Sequence, residues 1–410
     1  MKVYLVGGAV RDQLLGLSIK ERDWVVVGAD SNKLLSLGYR QVGRGFPVFL
    51  HPETQEEYAL ARTEKKLGKG YYGFTCDANP NVTLEEDLAR RDLTINAMAM
   101  DGEGCLIDPY HGQQDIQRKI LRHVSAAFVE DPVRVLRVAR FMARLQPLGF
   151  ELAPETRVLM QQMVRNGELE NLVPERVWQE WQQSLQESNP TAFVTTLRSC
   201  GALRVILPEV DRLFGVPNPR VYHSEIDTGI HSLMALDVAA SLSDDPMVRF
   251  AAFVHDLGKA CTPMEIWPKQ SNHDSLGVPV ITQLCRRLSV PNRYQKLASV
   301  SAQWHLAIHR VSHLSALEIV DVFTHTQAFQ DDMLFEKILI VCEADSQGRG
   351  TPSGLTAPAY RQAHDWRVLL AECRKITAQT CIAQGYTGSA IKDALHAARV
   401  ACVDQFRNSK

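Results

Sequence analysis

Nothing in the 410-residue chain is long and apolar enough to cross a bilayer, and Met1-Lys2-Val3 already opens a motif. The sequence therefore predicts neither a membrane span nor a signal peptide. No Cys-x-x-Cys pair occurs among the nine cysteines. Their odd number and scatter argue against a disulfide framework and predict free thiols in a reducing cytoplasm. No internal repeat or low-complexity tract is visible, which leaves packed domains. An excess of one charge is missing too. A net charge of −2 gives no general attraction to nucleic acid, so any such contact needs a local basic surface. What remains is a globular composition, 45% apolar, and a length that predicts two to four domains.

The informative residues lie early. Lys2-Val3-Tyr4-Leu5-Val6 reads as a short buried strand, and Ala9 to Leu15 has helical spacing. Gly7-Gly8 joins them. Strand, double glycine and helix together form a phosphate-binding arrangement, because glycines let backbone N–H groups approach an anion. Arg11 can add a bidentate clamp. In isolation the same residues also describe an ordinary tight turn. Glu21 and Asp23 then precede Trp24-Val25-Val26-Val27, which reads as a central strand. Residues two apart on a strand share a face, so both carboxylates can serve one Mg²⁺. A charged, solvated strand entrance is the competing reading.

Further on come Arg90-Arg91-Asp92-Leu93-Thr94-Ile95-Asn96-Ala97-Met98, Asp108-Pro109-Tyr110-His111-Gly112, and Glu130-Asp131-Pro132-Val133-Arg134. Asp131-Pro132 is a helix start, and Arg134, Arg137 and Arg140 share one broad helical face. Leu136, Val138 and Phe141 are expected to serve the opposite side. A carboxylate only accepts hydrogen bonds and an arginine only donates them. Cytosine and adenine each show an amino donor beside a ring-nitrogen acceptor. An Asp131–Arg134 pair can therefore accept those bases and leave buried groups unpaired against uracil or guanine. Thr83-Leu84-Glu85-Glu86 is a capping box for the helix carrying Arg90 and Arg91. Before it, Glu64 to Asn81 reads as a flexible loop, with Lys65, Lys66 and Lys69 as basic groups.

In order, these motifs resemble those of the class II tRNA nucleotidyltransferases, the CCA-adding enzymes within the superfamily that includes DNA polymerase β. The resemblance covers roughly the first third of the chain. It implies addition of C, C and A to the 3′ end of tRNA from CTP and ATP, with pyrophosphate release. It also implies Mg²⁺ on Glu21 and Asp23, and nucleotide contacts from Gly8, Arg11, Arg91, Asp131, Arg134, Arg137 and Arg140. The family usually has Asp-x-Asp where Glu21 and Asp23 stand. The longer first carboxylate still binds Mg²⁺ and is expected to tune geometry only. A poly(A) polymerase shares the catalytic motifs and is the nearest alternative.

Histidines cluster later: eight of thirteen lie between His223 and His325. His255-Asp256-Leu257-Gly258-Lys259 follows a buried helix, Met247 to Val254, and His231 opens an earlier apolar helix. His and Asp from neighbouring helices make a divalent-metal site. The segment resembles the HD phosphohydrolases, with His231, His255 and Asp256 matching the motif and either Asp345 or Asp321 as its last member. The resemblance implies hydrolysis of 2′,3′-cyclic phosphates, 2′-nucleotides or phosphomonoesters with a transition metal such as Ni²⁺. A phosphohydrolase with an inactive nucleotidyltransferase module is a further alternative.

The expected class is α+β. A polymerase-β-like head spans 1–141, a helical nucleotide- and tRNA-binding connector 142–222, an HD domain 223–330 and a helical tail 331–410. A monomer or homodimer is expected, in the cytoplasm, with no membrane partner.

Overall fold

In the computed structural model, residues 1–42, 48–66, 74–219, 227–349 and 359–409 are described. The chain divides into two compact units, Met1–Ile206 and Leu207–Lys410.

The first unit is built on a seven-stranded sheet. Its strands are β1 (Lys2–Val6), β2 (Asp23–Val27), β3 (Arg40–Val42), β4 (Val48–Leu50), β5 (Glu57–Leu60), β8 (Ala99–Met100) and β9 (Leu106–Ile107). Their order is β3-β4-β5-β2-β1-β8-β9, which puts β2 in the middle as its apolar run predicts. Val25 packs with Val6, Leu88 and Ala99 on one face, and Val26 with Leu34, Phe49 and Leu60 on the other. Alternation along the strand explains that split, and each fully buried valine contributes about 1.5–3 kcal/mol.

Register matters for function. Val6 faces Asp23 across the antiparallel β1–β2 pair, and Asp23 faces Glu57 across the parallel β2–β5 pair. The ladder ends there, because the chain leaves β1 at Gly7. Glu21 therefore lies in the connection before β2 and not on the strand. The shared strand face expected for Glu21 and Asp23 is thus corrected to a loop position beside a strand terminus.

A second correction concerns the segment from Glu64. There, β6 (Thr63–Lys66) and β7 (Phe74–Asp77) pair antiparallel, Thr63 with Asp77. Strand-favouring Thr63, Phe74 and Thr75 outweigh the polar residues that suggested a loop. Lys69 lies outside the described residues, as does His223.

The helices of this unit are α1 (Gly8–Leu14), α2 (Ser31–Ser36), α3 (Leu84–Ala89), α4 (Gly112–Arg118), α5 (Val133–Leu145), α6 (Pro154–Arg165), α7 (Pro174–Ser184), α8 (Thr191–Ser199) and α9 (Leu203–Ile206). Pro154 and Pro174 open α6 and α7 at positions where their missing N–H costs nothing. The capping box forms as expected, Thr83 accepting from the Glu86 N–H. Among the described residues past 141, the regular structure is helical apart from β11 (Glu151–Leu152), parallel to β10 (Ile120–Leu121).

The second unit is helical: α10 (Pro208–Asp211), α11 (Thr228–Leu242), α12 (Pro246–Val254), α13 (His273–Arg287), α14 (Asn292–His309), α15 (Ala316–His325), α16 (Asp332–Gln347), α17 (Arg361–Arg374), α18 (Ala378–Ala383) and α19 (Ala390–Asn408). Helix α12 is buried along nearly its whole length, from Val248 to Val254. Among the described residues no helix is long and apolar enough to cross a membrane.

Candidate active sites

A cleft of about 1030 Å³ opens in the first unit, and Gly7, Gly8, Glu21, Asp23, Glu57 and Arg91 line it. Gly7 has φ +69°, and a Cβ there would stand 2.9 Å from Arg91 Nη1. The positive φ is what calls for glycine; the Arg91 terminus is the end of a flexible side chain that can give way. Glu21 and Asp23 are exposed to the cleft. Burial pushes the Asp23 carboxyl up; Arg91 opposes that and the like charge of Glu21 reinforces it. Two carboxylates facing the same cleft offer the hard oxygen donors that suit a Mg²⁺ ion.

Asp131, Arg134, Arg137 and Arg140 reach the same cleft from α5. The helix begins one residue later than the sequence predicts, with Pro132 and not Asp131 at the N-cap; Asp131 still accepts from the Val133 N–H and takes two hydrogen bonds from Arg176 at 3.2 and 2.7 Å. Arg134 donates to the carbonyls of Ala127 and Arg90. Arg137 donates to Asp92 at 2.7 Å and Arg140 to Glu180 at 2.6 Å. Burial alone would raise Asp92, but Arg137, Asn96 and the Leu93 N–H overcome it and hold the carboxyl well below its ordinary range. Its stabilising contribution is therefore present above the usual Asp range and fades as pH falls toward that depressed value.

Arg11 is 2% exposed, with donors committed to Asp12 and to Asn96 Oδ1 at 2.7 Å. It forms part of the cleft wall. Phe141 is a correction: Arg11, Arg137 and Arg140 stand 5.1, 5.7 and 4.7 Å from its ring centroid. Positions 137 and 141 are one helical turn apart, so the phenyl ring lies on the arginine face and not opposite it. Below, Asp87 is fully buried and paired to Arg90 and Arg91 at 2.6 and 3.1 Å. Together they fix the helix end that presents Arg91.

Sequence reasoning missed Arg176, Glu180 and Glu57. Arg176 and Glu180 sit on α7, whose start at Pro174 is visible but whose tertiary partners are not. Glu57 could have been found only from the β2–β5 register.

The second unit gathers His231, His255, Asp256 and Asp345 in a buried cluster. His231 Nε2 lies 3.0 Å from Asp345 Oδ1 and 3.6 Å from Asp256 Oδ2. His255 Nε2 lies 3.4 Å from Asp256 Oδ2 and 3.6 Å from Asp345 Oδ1. Of the two carboxylates left open by the sequence, Asp345 is the one at the cluster; Asp321 instead pairs with His396 at 3.1 Å. Burial disfavours ionised Asp345, yet Arg349, His255 and His309 hold it well below the ordinary range. His255 Nδ1 donates to the Ala252 carbonyl, which aims Nε2 at the two carboxylates. Imidazole and carboxylate donors gathered this closely in a buried site fit a divalent cation.

Three family models match the chain: the poly A polymerase head domain over residues 3–122, the probable RNA and SrmB-binding site of polymerase A over 149–214, and the HD domain over 228–346. A multifunctional CCA protein of Legionella pneumophila (strain Paris) is 61% identical over 409 residues, covering 100% of this chain and 98% of its own. The chain belongs to the multifunctional CCA protein family. A second member, from Thioalkalivibrio sulfidiphilus, is 54% identical over 99% of both chains. Membership makes the chain a nucleotidyltransferase, a CCA-adding enzyme with an HD domain. The fold agrees: the Bacillus stearothermophilus CCA-adding enzyme in complex with CTP superposes with a TM-score of 0.65 at 24% identity, over 98% of this chain and 89% of that one. The Thermotoga maritima CCA-adding enzyme complexed with tRNA gives 0.61 at 19% identity, over 97% and 86%.

Proposed function

We propose that the cleft of the first unit adds C, C and A to tRNA 3′ ends from CTP and ATP, releasing pyrophosphate. The observation that carries this reading is the convergence in one cleft of the Gly7-Gly8 turn, the Glu21–Asp23 pair and the α5 arginines. Glu21 and Asp23 would hold Mg²⁺; Glu57, opposite Asp23 on the neighbouring strand, lines the same cleft. When bound, the metal supplies charge stabilisation for an in-line displacement at the α-phosphate. The backbone at Gly7 and Gly8 takes the phosphates together with Arg91, Arg137 and Arg140, while Arg11 shapes the wall beneath them. Asp131 accepts from the base amino group once Arg176 releases it, and Arg134 donates to the ring nitrogen.

The second unit hydrolyses phosphate esters in this reading: 2′,3′-cyclic phosphates, 2′-nucleotides and phosphomonoesters. His231, His255, Asp256 and Asp345 would hold a transition ion such as Ni²⁺. The domains are then 1–141, 142–222, 223–330 and 331–410, in a cytoplasmic monomer or homodimer with tRNA as partner. A poly(A) polymerase reading predicts selection of ATP alone.

Equilibrium binding of nucleoside triphosphates in Mg²⁺, without RNA, tests the cleft. CTP and ATP are expected to bind at least about tenfold more tightly than UTP and GTP, the result of one unpaired polar contact. Equal binding of all four would remove Asp131 and Arg134 from base selection.

A further inference from the structure

His231, His255, Asp256 and Asp345 all lie within the HD match, which ends at residue 346. Chain beyond that limit also reaches the cluster. Asp345, on α16, divides its two oxygens. Oδ1 lies 3.0 Å from His231 Nε2 and 3.6 Å from His255 Nε2. Oδ2 is held by two donors, His309 Nε2 at 2.5 Å and Arg349 Nη2 at 3.1 Å. Behind His309 stands Tyr360, at the N-cap of α17, with its hydroxyl 2.8 Å from His309 Nδ1. Trp366, fully buried on α17, donates its Nε1–H to the Ile308 carbonyl at 2.9 Å. That bond fastens α17 to the end of α14 and keeps the Tyr360 hydroxyl within reach of the next residue, His309.

His309 is held differently from His255. His255 bonds a carbonyl of its own helical turn through Nδ1. His309 meets a phenol there instead. A carboxylate only accepts, so the contact with Asp345 puts a proton on His309 Nε2 and leaves that nitrogen no lone pair for a metal. In the neutral ring, Nδ1 then accepts from the Tyr360 hydroxyl. His309 is also in none of the three sets of His and Asp atoms that gather within 4.8 Å of one another.

We infer that His309 and Tyr360 are positioning residues of the HD site: together they fix Asp345 Oδ2, so that Oδ1 is the oxygen turned to an ion beside His231 and His255. This rests on the metal-dependent phosphohydrolase reading of the unit. A carboxylate with one oxygen tied by hydrogen bonds cannot swing freely about its last bond, and outer partners of this kind govern how tightly a metal is held. The segment expected as a separate helical tail, 331–410, thus supplies both Asp345 and the phenol that sets it.

The test reads metal affinity and ligand geometry. The full chain carrying Glu21→Ala and Asp23→Ala, which removes the proposed oxygen donors of the first unit, is titrated with Co²⁺ in excess Mg²⁺ and followed by visible absorption. Adding His309→Ala is expected to weaken cobalt binding by about ten- to a hundredfold and to change the spectrum. His309→Gln, which keeps an N–H donor on a side chain of similar reach, is expected to recover most of the affinity and the parent spectrum. Tyr360→Phe removes only the hydroxyl and is expected to lose a few fold. Parent-like affinity and spectrum in both His309→Ala and Tyr360→Phe overturn the inference and leave the HD reading standing. A His309→Gln protein that binds no better than His309→Ala overturns the donor role. No cobalt bound by the parent overturns the HD reading and the inference with it.

Discussion

Replacing both Glu21 and Asp23 with alanine is expected to lower nucleotide addition by at least about a thousandfold, while hydrolysis of phosphate esters continues at its wild-type rate. In the proposed reading the pair supplies the hard-oxygen donors at the cleft, and alanine removes the ligands that would place Mg²⁺ against the reacting phosphate. The converse pair, His255→Ala with Asp256→Ala, is expected to abolish hydrolysis and spare addition. Separation follows from the architecture. The two sets of residues belong to different compact units, each with its own internal packing. Primer extension and release of phosphate from a chromogenic monoester, run on the same preparations, read both activities. Addition that survived loss of both carboxylates would show that the metal is held elsewhere.

The second large effect concerns the choice of base. Asp131→Asn is expected to reduce discrimination of C over U by about two orders of magnitude or more, judged by kcat/KM for single additions. An amide offers a donor as well as an acceptor, so uracil finds a partner where a carboxylate would repel it. The same substitution loosens the contact with Arg176, which holds both Asp131 oxygens. Arg134 is tied to the carbonyls of Ala127 and Arg90, so its side chain is positioned before any base arrives. Undiminished discrimination in Asp131→Asn would place base selection in other residues.

Much of this was legible in the chain because the signals are local. A β-branched run flanked by glycine or charge gives β1 and β2, and Thr83 with Glu86 gives the start of α3. Buried α12 and the His-Asp pair after it are likewise written in consecutive residues. What escaped depends on partners distant in sequence. Glu57 comes beside Asp23 only through a parallel pairing 34 residues apart in sequence, as those two numbers give. Arg176 meets Asp131 from another helix, and His273 and His305 meet at Asp256 from two more. Phe141 departs from the expected side because an arginine can lay its guanidinium over an aromatic ring, so polar and apolar residues share a face. Glycine, lysine and asparagine around β6 and β7 give a loop-like composition that masks two short paired strands.

One measurement tests the central claim most directly. A tRNA transcript lacking its 3′ C-C-A is incubated with the protein and Mg²⁺, and products are resolved to single nucleotides. With CTP alone two additions are expected, with CTP and ATP a third and no more, and with UTP or GTP none. A long ladder from ATP alone, or no extension under any condition, would contradict the account.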